Sequence, residues 1–304
     1  MVATRDRVTI LAGMNRFTDS ERRNAETLIA LAFAEDLGEV GDRTSLATIP
    51  ADRQGQAVFV ARKPGVLAGI PVLHAIQQSH GSNLTWEYAC EDSTVLQPGM
   101  PIATMRGSMR TILAVERTAL NFLQRLCGIA TLTRQYVNAI AGLPAVVLDT
   151  RKTTPGWRLL EKYAVRMGGG TNHRIGLYDG ILIKDNHLAA LQPREQAVAL
   201  AIAAAREHAP DLFVEIEVDS LEQLAQALPC HPEIVLLDNM SNAQLREAVA
   251  LRNTHSPTTR LEASGGVNLT TIRGIAETGV DRISVGALTH SATALDIGLD
   301  YADA

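Results

Sequence analysis

The rhythm of hydrophobic and polar positions changes near Ser108. Before it, Thr18, Asp19 and Ser20 offer N-caps to a helix running to about Leu37, with apolar positions at Leu28, Leu31, Ala32 and Ala34. Gly38 and Gly41 break that helix. Residues 56–62 alternate as a strand, Pro64-Gly65 marks a turn, and residues 66–68 are expected to pair back onto that strand. Pro71 starts a short helix, and residues 84–89 and 102–106 read as two further strands separated by the Gln97-Pro98-Gly99 turn. Strands that cluster in this way predict an α+β layer.

Beyond Ser108 a long helical pattern covers residues 111–140, with Ile112, Val115, Ala119, Phe122, Leu123 and Leu126 on its apolar stripe and Gly128 as an expected break. Apolar runs then recur at 145–148, 181–183, 213–216, 234–237, around 260–261 and at 282–285. Helical stretches such as 193–208, 221–228 and 242–252 lie between them. Repeated βα units with right-handed crossovers predict a parallel sheet, either open or closed into a barrel. Each apolar run ends in a polar cluster: Asp149-Thr150-Arg151-Lys152, then Lys184-Asp185-Asn186, Glu215 and Glu217, Asp238-Asn239, Ser264-Gly265-Gly266, and Gly286-Ala287. One such cluster is an ordinary helix cap. Six in succession, sorted into cations, acids and glycines, predict a functional rim at the strands' carboxyl ends.

Charge sharpens this picture. The 304-residue chain carries a formal net charge of −5, yet residues 146–187 hold seven Lys/Arg (151, 152, 158, 162, 166, 174, 184) against four Asp/Glu (149, 161, 179, 185). A local positive excess in an acidic protein favours a small anionic ligand over nucleic acid or a membrane surface. No apolar run approaches the roughly 20 residues of a membrane helix, and the N-terminal segment shows no signal-peptide core. Cys90, Cys127 and Cys230 are too few and too scattered for a disulfide scaffold, which predicts a reducing, cytoplasmic setting. No zinc spacing is present, so a metal here would be a hard ion on oxygen ligands.

Arg151, Lys152, Arg174 and Lys184, with His173, are therefore candidates for an anion pocket. Surface salt bridging is the ordinary alternative, and Lys184 taken alone also suits a Schiff-base lysine at a strand end. Glu217 and Asp238 end consecutive strands and could hold Mg²⁺, directly or through water, or stabilise positive charge on a sugar carbon. Asp238 could instead cap the helix near Ser241, and Glu215 is expected on the opposite side of its strand from Glu217. Ser264, Gly265 and Gly266, and Val285, Gly286 and Ala287, follow the last two strands, where backbone amides commonly receive phosphate. Gly168-Gly169-Gly170 reads as a turning loop beside His173; His74, His80, His208, His231, His255 and His290 read as surface or core filling, and both tryptophans as packing.

Several motifs together resemble the quinolinate phosphoribosyltransferase family. They are TRKTTPG at 150–156, GGGTNHR at 168–174, IKDNH at 183–187, EIEVDS at 215–220, LLDN at 236–239, SGG at 264–266 and ISVGALTH at 283–290. ERTALNFLQRLCGIAT at 116–131 and EDLGEVGDRTS at 35–45 are similar to it as well. The resemblance runs over roughly residues 17–300. It implies an open α/β sandwich domain at 1–118, with 289–304 packing on it, followed by an incomplete β/α barrel of fewer than eight strands at 119–288. It implies transfer of phosphoribosyl from phosphoribosyl pyrophosphate to quinolinate, with loss of CO₂, giving nicotinate mononucleotide. Arg117, Arg151, His173, Arg174 and Lys184 would then hold quinolinate; Thr150 would also contact substrate; and Lys152, Glu217 and Asp238 would be catalytic. Mg²⁺ is the implied cofactor. A homodimer is the implied assembly, with Arg117 entering the neighbour's site, and a trimer of such dimers is compatible with it.

Overall fold

The computed structural model describes residues 17–302. The chain divides into two compact units. The first takes the described residues up to Arg134, together with Thr153–Gly169 and the segment from Leu288 onward. The second takes Gln135–Lys152 and Gly170–Ala287.

The first unit opens with the helix Asp19–Leu37, whose N-cap is Thr18. The Thr18 hydroxyl accepts from the Glu21 amide at 3.2 Å, and the Glu21 carboxylate accepts from the Thr18 amide at 2.8 Å. Two otherwise orphaned amides are satisfied by this exchange. Strands β1 (Gln54–Ala61), β3 (Thr85–Tyr88), β5 (Pro101–Ser108) and β12 (Ile297–Ala302) form a sheet in the order β12-β1-β5-β3. The C-terminal strand β12 is not among the strands expected from the sequence and takes its place by antiparallel pairing with β1. The short β2 (Gly65–Val66) pairs with β4 (Val95–Leu96) rather than with β1, correcting the expected hairpin. Both edges of β1 are already occupied, by β5 and β12.

The helix Met109–Ala139 runs unbroken through Gly128. That glycine serves close packing instead of a break. A Cβ there would lie 2.1 Å from the Thr293 carbonyl oxygen, so only glycine lets the two backbones approach. A helix unrecognised in sequence, Arg158–Met167, also belongs to this unit, and its Glu161 and Lys162 are fully buried. Three of the seven cations counted at 146–187, namely Arg158, Lys162 and Arg166, are thus components of the first unit.

The second unit is built on six parallel strands: β6 (Val146–Leu148), β7 (Ile181–Ile183), β8 (Val214–Val218), β9 (Ile234–Asp238), β10 (Arg260–Ser264) and β11 (Arg282–Ser284). Their order is β6-β11-β10-β9-β8-β7, a βα series that curls back to place its last strand beside its first. The ladder has a single seam, between β6 and β7. At that seam Thr171 makes an isolated parallel bridge to Leu148, which draws residues 170–174 alongside β6. Val147, Ile216, Val235, Leu237, Leu261, Ala263 and Ile283 form a buried aliphatic set on one face of the strands. The intervening residues face the other way.

Candidate active site

Strand alternation selects the residues of the site. Leu182 and Lys184, Glu217, Leu236 and Asp238, Glu262 and Ser264, and Ser284 share one parity along their strands. They line a cavity of about 630 Å³ together with Thr150, Arg151, Lys152, His173, Arg174, Asn239, Gly265 and Gly266. Arg151, Lys152, His173, Arg174, Lys184, Glu217, Asp238, Ser264, Gly265 and Gly266 therefore converge, although they are far apart in the chain. Glu215 is corrected: residues two apart share a face of a strand, and Glu215 lies buried below Glu217 on the same side.

Four candidates stand apart from this cavity. The Val285 amide donates to the Leu148 carbonyl at 2.9 Å, so it has no N–H to offer a phosphate. Gly286 and Ala287 continue from β11 into the short helix Ala287–His290 and are not among the cavity's lining residues. Arg117 lies exposed on the helix Met109–Ala139, in the first unit.

At the rim, Lys184 Nζ meets Glu217 Oε2 at 2.5 Å, with both side chains partly accessible. Asp238 accepts from Asn239 Nδ2 at 2.7 Å. It does not cap the next helix, because Ser241 does, in a capping box with Gln244. Asn239 has φ +54°, and its amide donates to the Ser264 carbonyl at 2.9 Å. This brings it against Gly265, where a Cβ would fall 2.1 Å from Asn239 Oδ1. Gly265 and Gly266 both adopt positive φ, +95° and +59°, a region that favours glycine. The turn thus exposes backbone between two strand ends, the arrangement that lets amides approach an anion.

Deeper in the barrel lies a cluster that sequence reasoning missed. His173 Nε2 is 3.0 Å from Glu215 Oε2 and 3.4 Å from Glu262 Oε1. Arg282 Nε reaches Glu262 Oε2 at 2.7 Å. Both carboxylates are fully buried. Burial pushes the imidazole pKa down, but the two carboxylates outweigh it and raise it to about 9. Burial pushes Glu215 up, while at Glu262 the opposing pull of His173 and Arg282 wins and lowers the carboxyl. The Arg174 amide donates to His173 Nδ1 at 2.8 Å, a bond that needs Nδ1 without a proton. With Nδ1 bare, the ring is neutral and carries its one proton on Nε2, so the value of about 9 belongs to the coupled group, whose further proton lies on the carboxyl side, where burial raises Glu215. The three ligand-type atoms lie within 4.8 Å of one another, but Arg282 and the group's further proton already neutralise the two carboxylates, so the cluster is a closed ion-pair core. The signal that could have found it is parity: counting back two residues from Glu217 and from Ser264 gives Glu215 and Glu262.

A second cavity, of about 700 Å³, opens at the strands' amino ends beside Phe213, Ile234, Arg260 and Arg282. His173 and Arg174 line both cavities, so the cluster forms the floor between them.

Comparison with known proteins agrees with this architecture. The model of the quinolinate phosphoribosyl transferase N-terminal domain matches residues 42–127, and that of its C-terminal domain matches residues 129–300. The nicotinate-nucleotide pyrophosphorylase [carboxylating] of Mycobacterium leprae is 46% identical over 285 residues, covering 93% of this chain and 99% of that protein. A probable nicotinate-nucleotide pyrophosphorylase [carboxylating] of Synechocystis sp. is 40% identical, covering 88% of this chain and 89% of the relative. Among solved structures, the nicotinate-nucleotide pyrophosphorylase from Francisella tularensis superposes with a TM-score of 0.86 at 36% identity, covering 92% of this chain and 97% of that one. Two family models that together span most of the chain, and a relative of this identity and coverage, leave one assignment: the chain belongs to the quinolinate phosphoribosyltransferase family.

Proposed function

We propose that this chain transfers the phosphoribosyl group of phosphoribosyl pyrophosphate to the ring nitrogen of quinolinate and releases CO₂, giving nicotinate mononucleotide and pyrophosphate. The observation that carries the reading is the sorting of one cavity: Arg151, Arg174 and Lys184 with Lys152, then Glu217 and Asp238, then Ser264, Gly265 and Gly266. A pyridine dicarboxylate needs several cations close together, and guanidinium groups grip carboxylates through two parallel hydrogen bonds. A sugar phosphate needs backbone amides and hydroxyl-binding carboxylates beside them.

In this reading Arg151, Arg174 and Lys184 hold the two carboxylates, with His173 in the same wall and Thr150 at its edge. Glu217 and Asp238 face the ribose. Ser264, Gly265 and Gly266 receive the 5′-phosphate. The ring nitrogen's lone pair forms the bond to the anomeric carbon as the carbon–oxygen bond breaks, its electron pair leaving with pyrophosphate. Lys152 neutralises the growing charge on that leaving group. Glu217 and Asp238 stabilise the oxocarbenium character of the transition state. The carboxylate next to the new pyridinium then departs as CO₂, leaving its bonding pair on the ring carbon, which takes up a proton. The cation count favours quinolinate over nicotinate, which carries a single carboxylate.

Mg²⁺ fits the donor set. Asp238 and Glu217 offer oxygen ligands at partly exposed positions, the ligand type that a hard cation sharing its shell with phosphates and water requires. Bound there, it would offset the charge of the pyrophosphate group. We further propose a homodimer in which a second copy supplies Arg117. Mixing R117A with R151A, each inactive alone, would regenerate hybrid sites with both arginines; recovery of activity supports the assembly, and none removes it. Among the described residues no helix is long and apolar enough to cross a membrane; the proposed cytoplasmic setting rests on the three unpaired, scattered cysteines. The defining experiment is an assay of mononucleotide formation from quinolinate and phosphoribosyl pyrophosphate.

A further inference from the structure

The segment that crosses the barrel seam is pinned one amide at a time. The His173 amide donates to Asp149 Oδ1 at 2.8 Å, and the Arg174 amide to His173 Nδ1 at 2.8 Å. The next two amides, Ile175 and Gly176, donate to the two oxygens of Asp179 at 2.7 Å and 2.8 Å. Asp149 is fully buried at the end of β6 and also accepts from Asn172 Nδ2 at 2.6 Å. Four successive backbone amides are thus held by side chains, although the segment lies outside the named strands.

His173 is the least ordinary of these acceptors. Its ring is almost completely buried, and both nitrogens meet protein atoms: Nδ1 takes the Arg174 amide, and Nε2 faces Glu215 and Glu262. A ring held at both nitrogens is a poor grip for a substrate carboxylate and a rigid strut for the residue after it. That residue, Arg174, lines the cavity, and its Nη1 donates to the Gly180 carbonyl at 3.0 Å, which fixes the far end of the side chain.

We infer that His173 acts on the substrate through Arg174: it is a positioning residue, anchored from below by Glu215 and Glu262, that fixes the backbone from which Arg174 meets a carboxylate. The inference rests on the reading of this cavity as the quinolinate site, and it replaces direct contact by His173 with contact through its neighbour. It also gives the buried acids a purpose. They orient the ring, and the orientation presents Nδ1 to the amide.

Two substitutions separate the nitrogens. In His173→Asn the side-chain oxygen can occupy the place of Nδ1 and keep the Arg174 amide bonded. In His173→Gln the longer side chain can reach the place of Nε2 and keep the contact with the acids, but the Nδ1 acceptor is gone. The expected result is that H173N holds the KM for quinolinate within about threefold of wild type, while R174A and H173Q each raise it roughly tenfold or more, as loss of a charged hydrogen bond does. The KM for phosphoribosyl pyrophosphate should stay put in all of them. In the double variant R174A/H173Q, the glutamine should add nothing to the loss caused by R174A, because a residue that works through another has no effect once that other is removed. Circular dichroism and thermal melts of each variant confirm that the folded enzyme is being compared.

Multiplicative losses in the double variant, or H173N as damaging as H173Q, would overturn this inference while leaving the cavity's assignment intact. An unchanged quinolinate KM in R174A would instead overturn the assignment of the cavity, and the inference with it. Nitrogen-15 NMR of the imidazole in the substrate-free protein checks the geometry separately: near neutral pH, Nδ1 should be unprotonated and Nε2 protonated, and a protonated Nδ1 would contradict the strut.

Discussion

Glu161 in the first unit and Glu215 in the second are both fully buried carboxylates, but they are housed differently. Glu161 accepts from Arg125 Nη2 at 2.6 Å, from the Thr154 amide at 3.1 Å and from the Thr154 hydroxyl at 2.9 Å. Glu21, almost as buried, is held by Arg166 and by the Thr18 amide in the same unit. Glu215 has the edge of one imidazole, shared with Glu262, and neither of its oxygens has a well-aligned hydrogen bond among the described residues. Buried charge that serves the fold alone is normally saturated with donors. Carboxylates left partly satisfied beneath a cavity mark the place where the fold gives up some stability for geometry. The first unit shows how this protein buries charge to hold itself together, and the second how it buries charge to hold a site.

Substitutions should separate the two. The largest effect is expected at the cavity: Arg151→Ala or Lys184→Ala should cut kcat/KM about 10²–10³-fold with little change in melting temperature. Near-normal turnover in either would remove that residue from the scheme. On the other side of the comparison, Glu161→Ala should cost about 3 kcal/mol in urea unfolding, because the Thr154 amide and hydroxyl lose their acceptor and Arg125, though still bonded to the Ala292 and Thr289 carbonyls, loses its counter-charge, with kcat/KM of the folded protein nearly unchanged. A fall in activity without loss of stability would show that the two classes of buried charge are not distinct.

A smaller contrast lies within the glycine turn. Gly265→Ala forces a Cβ against Asn239 and should raise the KM for phosphoribosyl pyrophosphate roughly tenfold, a loss of about 1.4 kcal/mol. Gly266→Ala points into open space and carries only the conformational cost of positive φ, about 1 kcal/mol of stability. Equal effects on KM at the two positions would mean that the close approach to Asn239 is irrelevant to binding.

The mildest effect is with pH. His173 and its two carboxylates titrate as one group that keeps its further proton up to about pH 9, above the ordinary imidazole value of about 6.5. The stability this contributes is complete below about pH 6.5 and lost as pH rises through about 9. Melting temperature should decline across that window in wild type and more shallowly in H173Q. Parallel curves for the two proteins would remove His173 as the origin of the decline.

The parts of this molecule that local rules govern were legible in the chain. Thr18 with Glu21 marks a helix start, and charge directly after Val146-Val147-Leu148 marks a strand's end. What local rules do not reach was missed or misplaced. Glu262 bonds Arg282 across two neighbouring strands, a pairing set by register that no window of sequence displays. Gly128 looked like a helix break because its neighbour is Thr293, 165 positions away. Val285 looked like a phosphate donor because its amide's partner, Leu148, lies on the strand that completes the barrel.

The most direct test of the function is stoichiometric. Purified protein given Mg²⁺, phosphoribosyl pyrophosphate and quinolinate labelled in its 2-carboxylate should release labelled CO₂ and pyrophosphate in equal amounts, with nicotinate mononucleotide as the organic product and far slower turnover of nicotinate. Pyrophosphate release without CO₂, or a preference for nicotinate, would contradict the account.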